Sequence, residues 1–249
     1  MDGPVPAWLR CHRLRAGVLA LLAVATAAIA GPPSHDATSH RRFDDPAYWS
    51  KVFDDPARAE WQKPTEVAAA LGLRPGQTVA DLGAGTGYFT RPLADAVGPS
   101  GTVLAVDVEP NLVAYMSERA AREHLSNVRV VLAAAQDPHL PAAGVDAVLV
   151  VDTYHHIDDR IAYFRRLQRA LRPHGRIAVV DWHKRPMPVG PEMDHKLARE
   201  QVVDEMQAAG YRLVDEPTFL PYQYFLIFEL RCGRCTCPRH RAVRSACGC

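Results

Sequence analysis

Between His12 and Arg231 the chain has no cysteine. Disulfides and thiolate-bound metal are thereby excluded from the whole central region, whatever the redox compartment. No sign of charge dominates either: 29 Lys and Arg stand against 28 Asp and Glu, for a formal net charge of +1. Without a basic stripe there is no electrostatic footprint for nucleic acid, and a small or neutral substrate is expected. Long hydrophobic runs are also scarce. The uncharged apolar run at 16–30 has fifteen residues, short of the roughly 20 that a membrane-spanning helix needs. With 249 residues the chain suffices for one well-filled domain plus appendages, and not for two full domains.

The appendages come first. Arg10, Arg13 and Arg15 precede the apolar run, and Ala28-Ile29-Ala30 offers a small-x-small cleavage site before Gly31. Together these features make residues 1–30 a secretory signal peptide, with an uncleaved anchor as the alternative. The protein is accordingly expected to be exported or periplasmic, touching a membrane only if that segment is retained. Residues 31–42 (GPPSHDATSHRR) are polar and rich in Pro, Ser and His, and read as a disordered linker. Residues 43–63 carry Phe-Asp-Asp-Pro-Ala twice, at 43–47 and 53–57. Asp before Pro suits a helix N-cap and first helical position. Two short helices bearing Tyr48, Trp49 and Trp61 are expected, either packed on the main domain or forming a lid over its site. At the far end, Cys232, Cys235, Cys237, Cys247 and Cys249 crowd into a Cys/Arg-rich tail at 231–249. It lacks two clean C-x-x-C pairs at finger spacing, and no metal site is assigned to it.

From Pro64 to Leu230 helical and extended patterns alternate. Strands are expected at 78–82, 102–107, 128–133, 145–151 and 176–182, and helices at 65–72, 87–97, 110–124, 160–171 and 194–209. The run at 145–151 is almost continuously apolar, as for a strand covered on both faces. Two further strands, at 211–214 and 222–230, follow each other without a helix between them. Such alternation implies a doubly wound, mostly parallel seven-stranded α/β sheet, with an antiparallel strand near one edge.

The first strand runs into Asp81-Leu82-Gly83-Ala84-Gly85-Thr86-Gly87-Tyr88. Glycines allow a turn with backbone angles closed to other residues, while a nucleotide-type ligand approaches the main chain. The dinucleotide fingerprint counted from Gly83 requires glycine at position 88. Tyr stands there instead, the third glycine comes one residue early, and Asp81 precedes the set. The spacing D-x-G-x-G-x-G resembles motif I of the class I S-adenosylmethionine-dependent methyltransferases, and the resemblance extends over 64–230.

That resemblance implies a Rossmann-like domain with S-adenosylmethionine as cofactor, moving a methyl group to a small-molecule acceptor by in-line displacement at the sulfonium. It implies a cofactor site of Asp81, Gly83, Ala84, Gly85 and Gly87, with Asp107 and Val108 ending the second strand, Asp137 after the third, and Asp152 after the fourth. Asp81 resembles the acid that helps hold the methionine end. An acid about 20 positions past the glycines is placed to accept from the ribose hydroxyls, the role of Asp107. Asp137 matches the acid that meets the adenine amino group, or else it caps the turn before Pro138. Glu109 is expected to cap the next helix.

Val151-Asp152-Thr153-Tyr154-His155-His156-Ile157 falls at the switch-point crevice of such a sheet. The family often has paired histidines here facing the transferred methyl group, which makes His155 and His156 the candidate catalytic residues. An imidazole of pKa about 6.5 is in the useful range for taking an acceptor's proton. The competing expectation is that one histidine orients the loop and the other packs. His183 is a weaker candidate for the acceptor pocket; His195 and Lys196 read as solvated helix residues, and 222–225 as mostly core. Two other functions fit the architecture: a nicotinamide-dependent oxidoreductase, disfavoured by Tyr88, and a non-catalytic S-adenosylmethionine-binding module.

Overall fold

The computed structural model describes residues 35–231. The expected signal peptide or anchor at 1–30 and the cysteines of the tail lie outside those residues. Seven strands form one sheet: β1 (Thr78–Leu82), β2 (Thr102–Asp107), β3 (Val128–Leu132), β4 (Val145–Val151), β5 (Leu171–Trp182), β6 (Tyr211–Asp215) and β7 (Gln223–Leu230). The helices are α1 (Pro46–Phe53), α2 (Arg58–Gln62), α3 (Pro64–Ala70), α4 (Thr90–Val97), α5 (Pro110–Arg122), α6 (Arg160–Leu167) and α7 (Arg199–Ala208).

Strand order is β3-β2-β1-β4-β5-β7-β6, with β7 antiparallel to both of its neighbours and the other pairings parallel. This is the expected doubly wound sheet. The chain leaves β1 towards β2 and β3 and later returns to lay β4 on the opposite side of β1. The turns after β1 and β4 therefore share one crevice at the carboxyl edge of the sheet. Alternate residues of β4 enter different cores: Val145, Val148 and Val150 pack on one side, and Ala147, Leu149 and Val151 on the other. That two-sided burial explains the apolar run. No helix among the described residues is long and apolar enough to cross a membrane.

Three local expectations are revised. The helix expected from 87 begins at Thr90, because Gly87 adopts φ +89° and still belongs to the turn. The helix expected over 160–171 gives way at Leu171, which pairs with Val145 as the start of β5. The helix expected over 194–209 is broken: Met193–His195 form a single tight turn, and α7 starts only at Arg199. Lys196 and Leu197 between them are buried, and the Lys196 ammonium donates to the Arg185 carbonyl at 3.1 Å. Lys196 is thus not a solvated helix residue.

Residues 35–42 depart from the expectation of a disordered linker. Thr38 N–H donates to the His155 carbonyl (2.8 Å), the Thr38 hydroxyl to the His195 carbonyl (2.7 Å), and Ala37 N–H to Asp158 (3.0 Å). Arg160, fully buried, receives this strap: its backbone N–H donates to the His35 carbonyl and its guanidinium to the Asp36 carbonyl. A Pro-, Ser- and His-rich composition carries no local signal for such bonds, since every partner lies far along the chain.

Candidate active site

The turn after β1 is shaped by glycine. Gly83, Gly85 and Gly87 have φ of +74°, +60° and +89°. The N–H groups of Gly83 and Ala84 both donate to the Val106 carbonyl, at 2.8 and 3.0 Å, which ties the turn to β2. A Cβ on Gly83 would lie 2.2 Å from Thr153 Oγ1. Only a bare residue lets the turns after β1 and β4 touch.

Asp107, buried at the end of β2, ties the same turn from below. One of its oxygens accepts from Gly85 N–H (2.8 Å) and the other from Glu109 N–H (3.0 Å). Burial raises the pKa of its carboxyl, opposed by those N–H bonds. Val108 beside it is exposed. Asp81 is buried, accepts a 2.7 Å bond from the Thr90 hydroxyl, and has no ion-pair partner among the described residues. Burial, opposed by Thr90 and assisted by Asp107, pushes its carboxyl up to about 7.

Across the crevice, Asp152 (φ +51°) accepts from Arg58 at 3.2 Å, Gln62 at 2.9 Å, and Gln223. Burial pushes it up to about 6 despite the Arg58 charge. The two candidate histidines follow, and their environments differ. His155 is buried, and its Nδ1–H donates to both oxygens of Asp181 at 2.9 Å. Burial opposes its charge, but the adjacent carboxylate prevails and the pKa is raised. His156 Nδ1 lies 2.9 Å from the Ser39 carbonyl. A carbonyl only accepts, so the proton sits on Nδ1 and the lone pair on Nε2. Burial and the His155 charge push His156 down to about 4. The imidazoles lie 4.2 Å apart, centroid to centroid, and Phe43 meets His156 edge-on at 5.5 Å.

The segment expected as two short helices packs over the turns after β1 and β4. Asp45 caps α1 by accepting from the N–H groups of Ala47 (3.0 Å) and Tyr48 (3.1 Å). Phe53 lies on the bare face of Gly85, within 3.4 Å of where a Cβ would stand. Asp54 accepts from the Thr86 hydroxyl (3.1 Å) and from Arg119 through both oxygens (2.9 Å each). Trp61 meets Trp182 at 5.3 Å and Tyr222 at 6.0 Å, over the end of β5.

Asp81, Gly83, Ala84, Gly85, Gly87, Asp107 and Asp152 are thus gathered at one crevice with His155 and His156. Asp137 is engaged elsewhere. Its carboxylate accepts from His139 N–H (2.9 Å) and Arg169 (2.7 Å) in a turn where it is 39% exposed. The His139 N–H bond and the Arg169 charge lower its pKa, which is the turn-capping alternative. Glu109 does not cap α5 with its side chain; it accepts from Phe43 N–H at 3.4 Å. His183 has its ring 5.8 Å from that of Tyr224. Ser39, Asp54, Arg58, Gln62 and Asp181 were not singled out in the sequence. Asp181 alone had a signal there, an acid ending an apolar strand beside His183.

The turn bears three glycines at positive φ, and buried Asp81, without an ion-pair partner among the described residues, gains from a positive charge. Both observations fit a cationic, nucleotide-like cofactor. Residues 79–175 match the family described as Methyltransferase domain. A Nocamycin O-methyltransferase from Saccharothrix syringae is 34% identical over 130 residues, covering 49% of this chain and 46% of that protein. An Arsenite methyltransferase from Halobacterium salinarum is 31% identical over 159 residues, covering 59% and 40%. The chain therefore spans about half or less of the length of these curated relatives. A crystal structure of a SAM dependent methyltransferase from Aquifex aeolicus superposes with TM-score 0.70 at 29% identity, over 74% of this chain and 97% of that one. Early third glycine, Tyr88, sheet order and sequence likeness converge: residues 79–175 match a methyltransferase domain, and the chain is similar in sequence and fold to S-adenosylmethionine-dependent methyltransferases.

Proposed function

We propose that this chain transfers the methyl group of S-adenosylmethionine to a small-molecule acceptor. The observation that carries the reading is Asp81, a buried carboxylate with no ion-pair partner among the described residues, at the head of a glycine turn that the partly buried Asp152 faces from the end of β4. Burial disfavours the charge of Asp81 at neutral pH, and a cationic ligand restores it. Gly83 to Gly87 and Asp107 would hold the nucleoside, and Asp81 the methionine end. The bound cofactor supplies an electrophilic methyl carbon and a neutral thioether leaving group.

The protein's own contribution is mainly alignment of the acceptor, which supplies much of the acceleration in a displacement. His155 is the better proton acceptor of the pair, because Asp181 stabilises the imidazolium. His156, neutral with its lone pair on Nε2, orients the acceptor hydroxyl or amine. If the acceptor atom bears no proton, both histidines act as positioning groups only.

Titration calorimetry tests this reading. Asp81 titrates near 7 in the free protein, so at pH 6 most molecules carry a proton that a cation must displace. The affinity for S-adenosylmethionine should therefore rise about tenfold from pH 6 to pH 8, with proton uptake by the buffer. A folded protein giving no binding heat at either pH would sink the proposal. Binding without S-adenosylhomocysteine release across an acceptor screen would favour the non-catalytic module, and binding of NADH instead would favour the oxidoreductase.

We also propose that the domain is exported, on the strength of the basic, apolar and small-x-small succession in residues 1–30. Cell fractionation with an antibody to the domain should find it outside the cytosol, shortened by those residues. Recovery in the cytosol at full length would overturn this, and would place the domain beside the usual cofactor supply.

A further inference from the structure

This inference rests on the cofactor reading above. The lid is fastened at two points on either side of the glycine turn. At one, Asp54 takes the Arg119 guanidinium and the Thr86 hydroxyl. At the other, Arg58 donates to Asp152 (3.2 Å) and to the Phe53 carbonyl (2.6 Å). The Arg58 guanidinium also lies 4.6 Å from the centroid of Tyr88, the residue that ends the motif. Its side chain is only 14% exposed.

Arg58 thus occupies a carboxylate and an aromatic face, the two kinds of surface that attract a cation. Both border the turn that a sulfonium-bearing ligand must enter, and the backbone carbonyl held by the same guanidinium belongs to Phe53, which covers Gly85. We propose that Arg58 is a resident substitute for the cofactor's positive charge. It latches α1 and α2 over the glycine turn and yields when S-adenosylmethionine brings a competing cation to Asp152. S-adenosylhomocysteine, whose sulfur is neutral, leaves the Arg58–Asp152 pair in place. Arg58 is then a specificity-determining residue that sets the balance between substrate and product forms of the cofactor, and it re-engages once transfer has removed the charge.

The test is calorimetry with S-adenosylmethionine and S-adenosylhomocysteine separately, on wild type, Arg58→Gln, Arg58→Met and Arg58→Lys. Arg58→Gln should bind S-adenosylmethionine about fivefold more tightly, the worth of one partly exposed ion pair, with S-adenosylhomocysteine changed less than about twofold. Arg58→Met, which keeps an apolar stem against Tyr88, should do the same if Gln unsettles α2. Arg58→Lys should keep the wild-type ratio. Added salt should narrow the difference between wild type and Arg58→Gln, because a partly exposed pair is screened. Weaker binding of both ligands by Arg58→Gln and Arg58→Met would overturn the proposal and make Arg58 an anchor for the cofactor's carboxylate. Equal changes for the two ligands, or none, would overturn it as well. If wild type binds neither ligand, it is the cofactor reading that fails.

Discussion

Replacing Asp107 with Ala should weaken S-adenosylmethionine binding by at least about a hundredfold. The carboxylate has two tasks in the proposed site. Its oxygens already accept from Gly85 and Glu109 N–H groups, which sets the glycine turn and the start of α5 relative to each other. It is also the acid placed for the ribose hydroxyls. Hydrogen bonds to a charged group are worth about 1.5–3 kcal/mol each, and two lost together amount to a factor of about 10² to 10³ or more. Asp107→Asn keeps one acceptor oxygen and the shape, so its loss should be smaller. Calorimetry on both variants, with thermal melts to establish folding, gives the comparison. Binding by a folded Asp107→Ala within tenfold of wild type would remove Asp107 from the cofactor site.

The largest effect on stability is expected at Arg160. Its guanidinium is fully buried and meets Glu205, also buried, through two bonds of 2.6 and 2.9 Å. Glu205 further accepts from Tyr154, Gln201 and His35. Arg160→Leu leaves Glu205 buried without its countercharge, at a cost of about 3–5 kcal/mol. For a domain of this size that lowers Tm by roughly 10 °C. Because Arg160 also holds the His35 and Asp36 carbonyls, the strap at 35–42 should become a protease-sensitive segment in the same variant. Replacing Glu205 by Leu as well removes the orphaned carboxylate and should recover part of the loss. A single-variant Tm within about 3 °C of wild type, an order-of-magnitude threshold on the same scale, would show that the pair contributes little.

The two predictions differ in how far the sequence announced them. Asp107 was visible before any coordinates, because an acid closing the second strand beyond a glycine turn is a local pattern. Arg160 was visible only as the first residue of an expected helix. Its partner lies 45 positions away, and an arginine at a helix start ordinarily points to solvent. Asp137 is a different case. Its spacing suited the adenine contact, but His139 and Arg169 already hold its carboxylate, and spacing carries no information about competing partners.

Sequence alone determined what short-range rules control. Strand and helix periods, the Asp45-Pro46 cap and glycines at positive φ each follow from a few adjacent residues, whereas Asp55-Pro56 does not cap α2, which starts at Arg58; the doubly wound sheet, the turn from Asp81 to Gly87 and the cofactor class were legible. Only the tertiary structure decided what surrounds that turn. Arg58 meets Asp152 across 94 positions, and Ser39 meets His156 across 117. Such pairs leave no periodic trace, because the residues become neighbours only after the sheet has brought the carboxyl ends of β1 and β4 together. Long-range packing also separated the histidines, giving His155 a carboxylate and His156 a carbonyl. Adjacent in sequence and chemically identical when unfolded, they differ in the fold because opposite partners reach them.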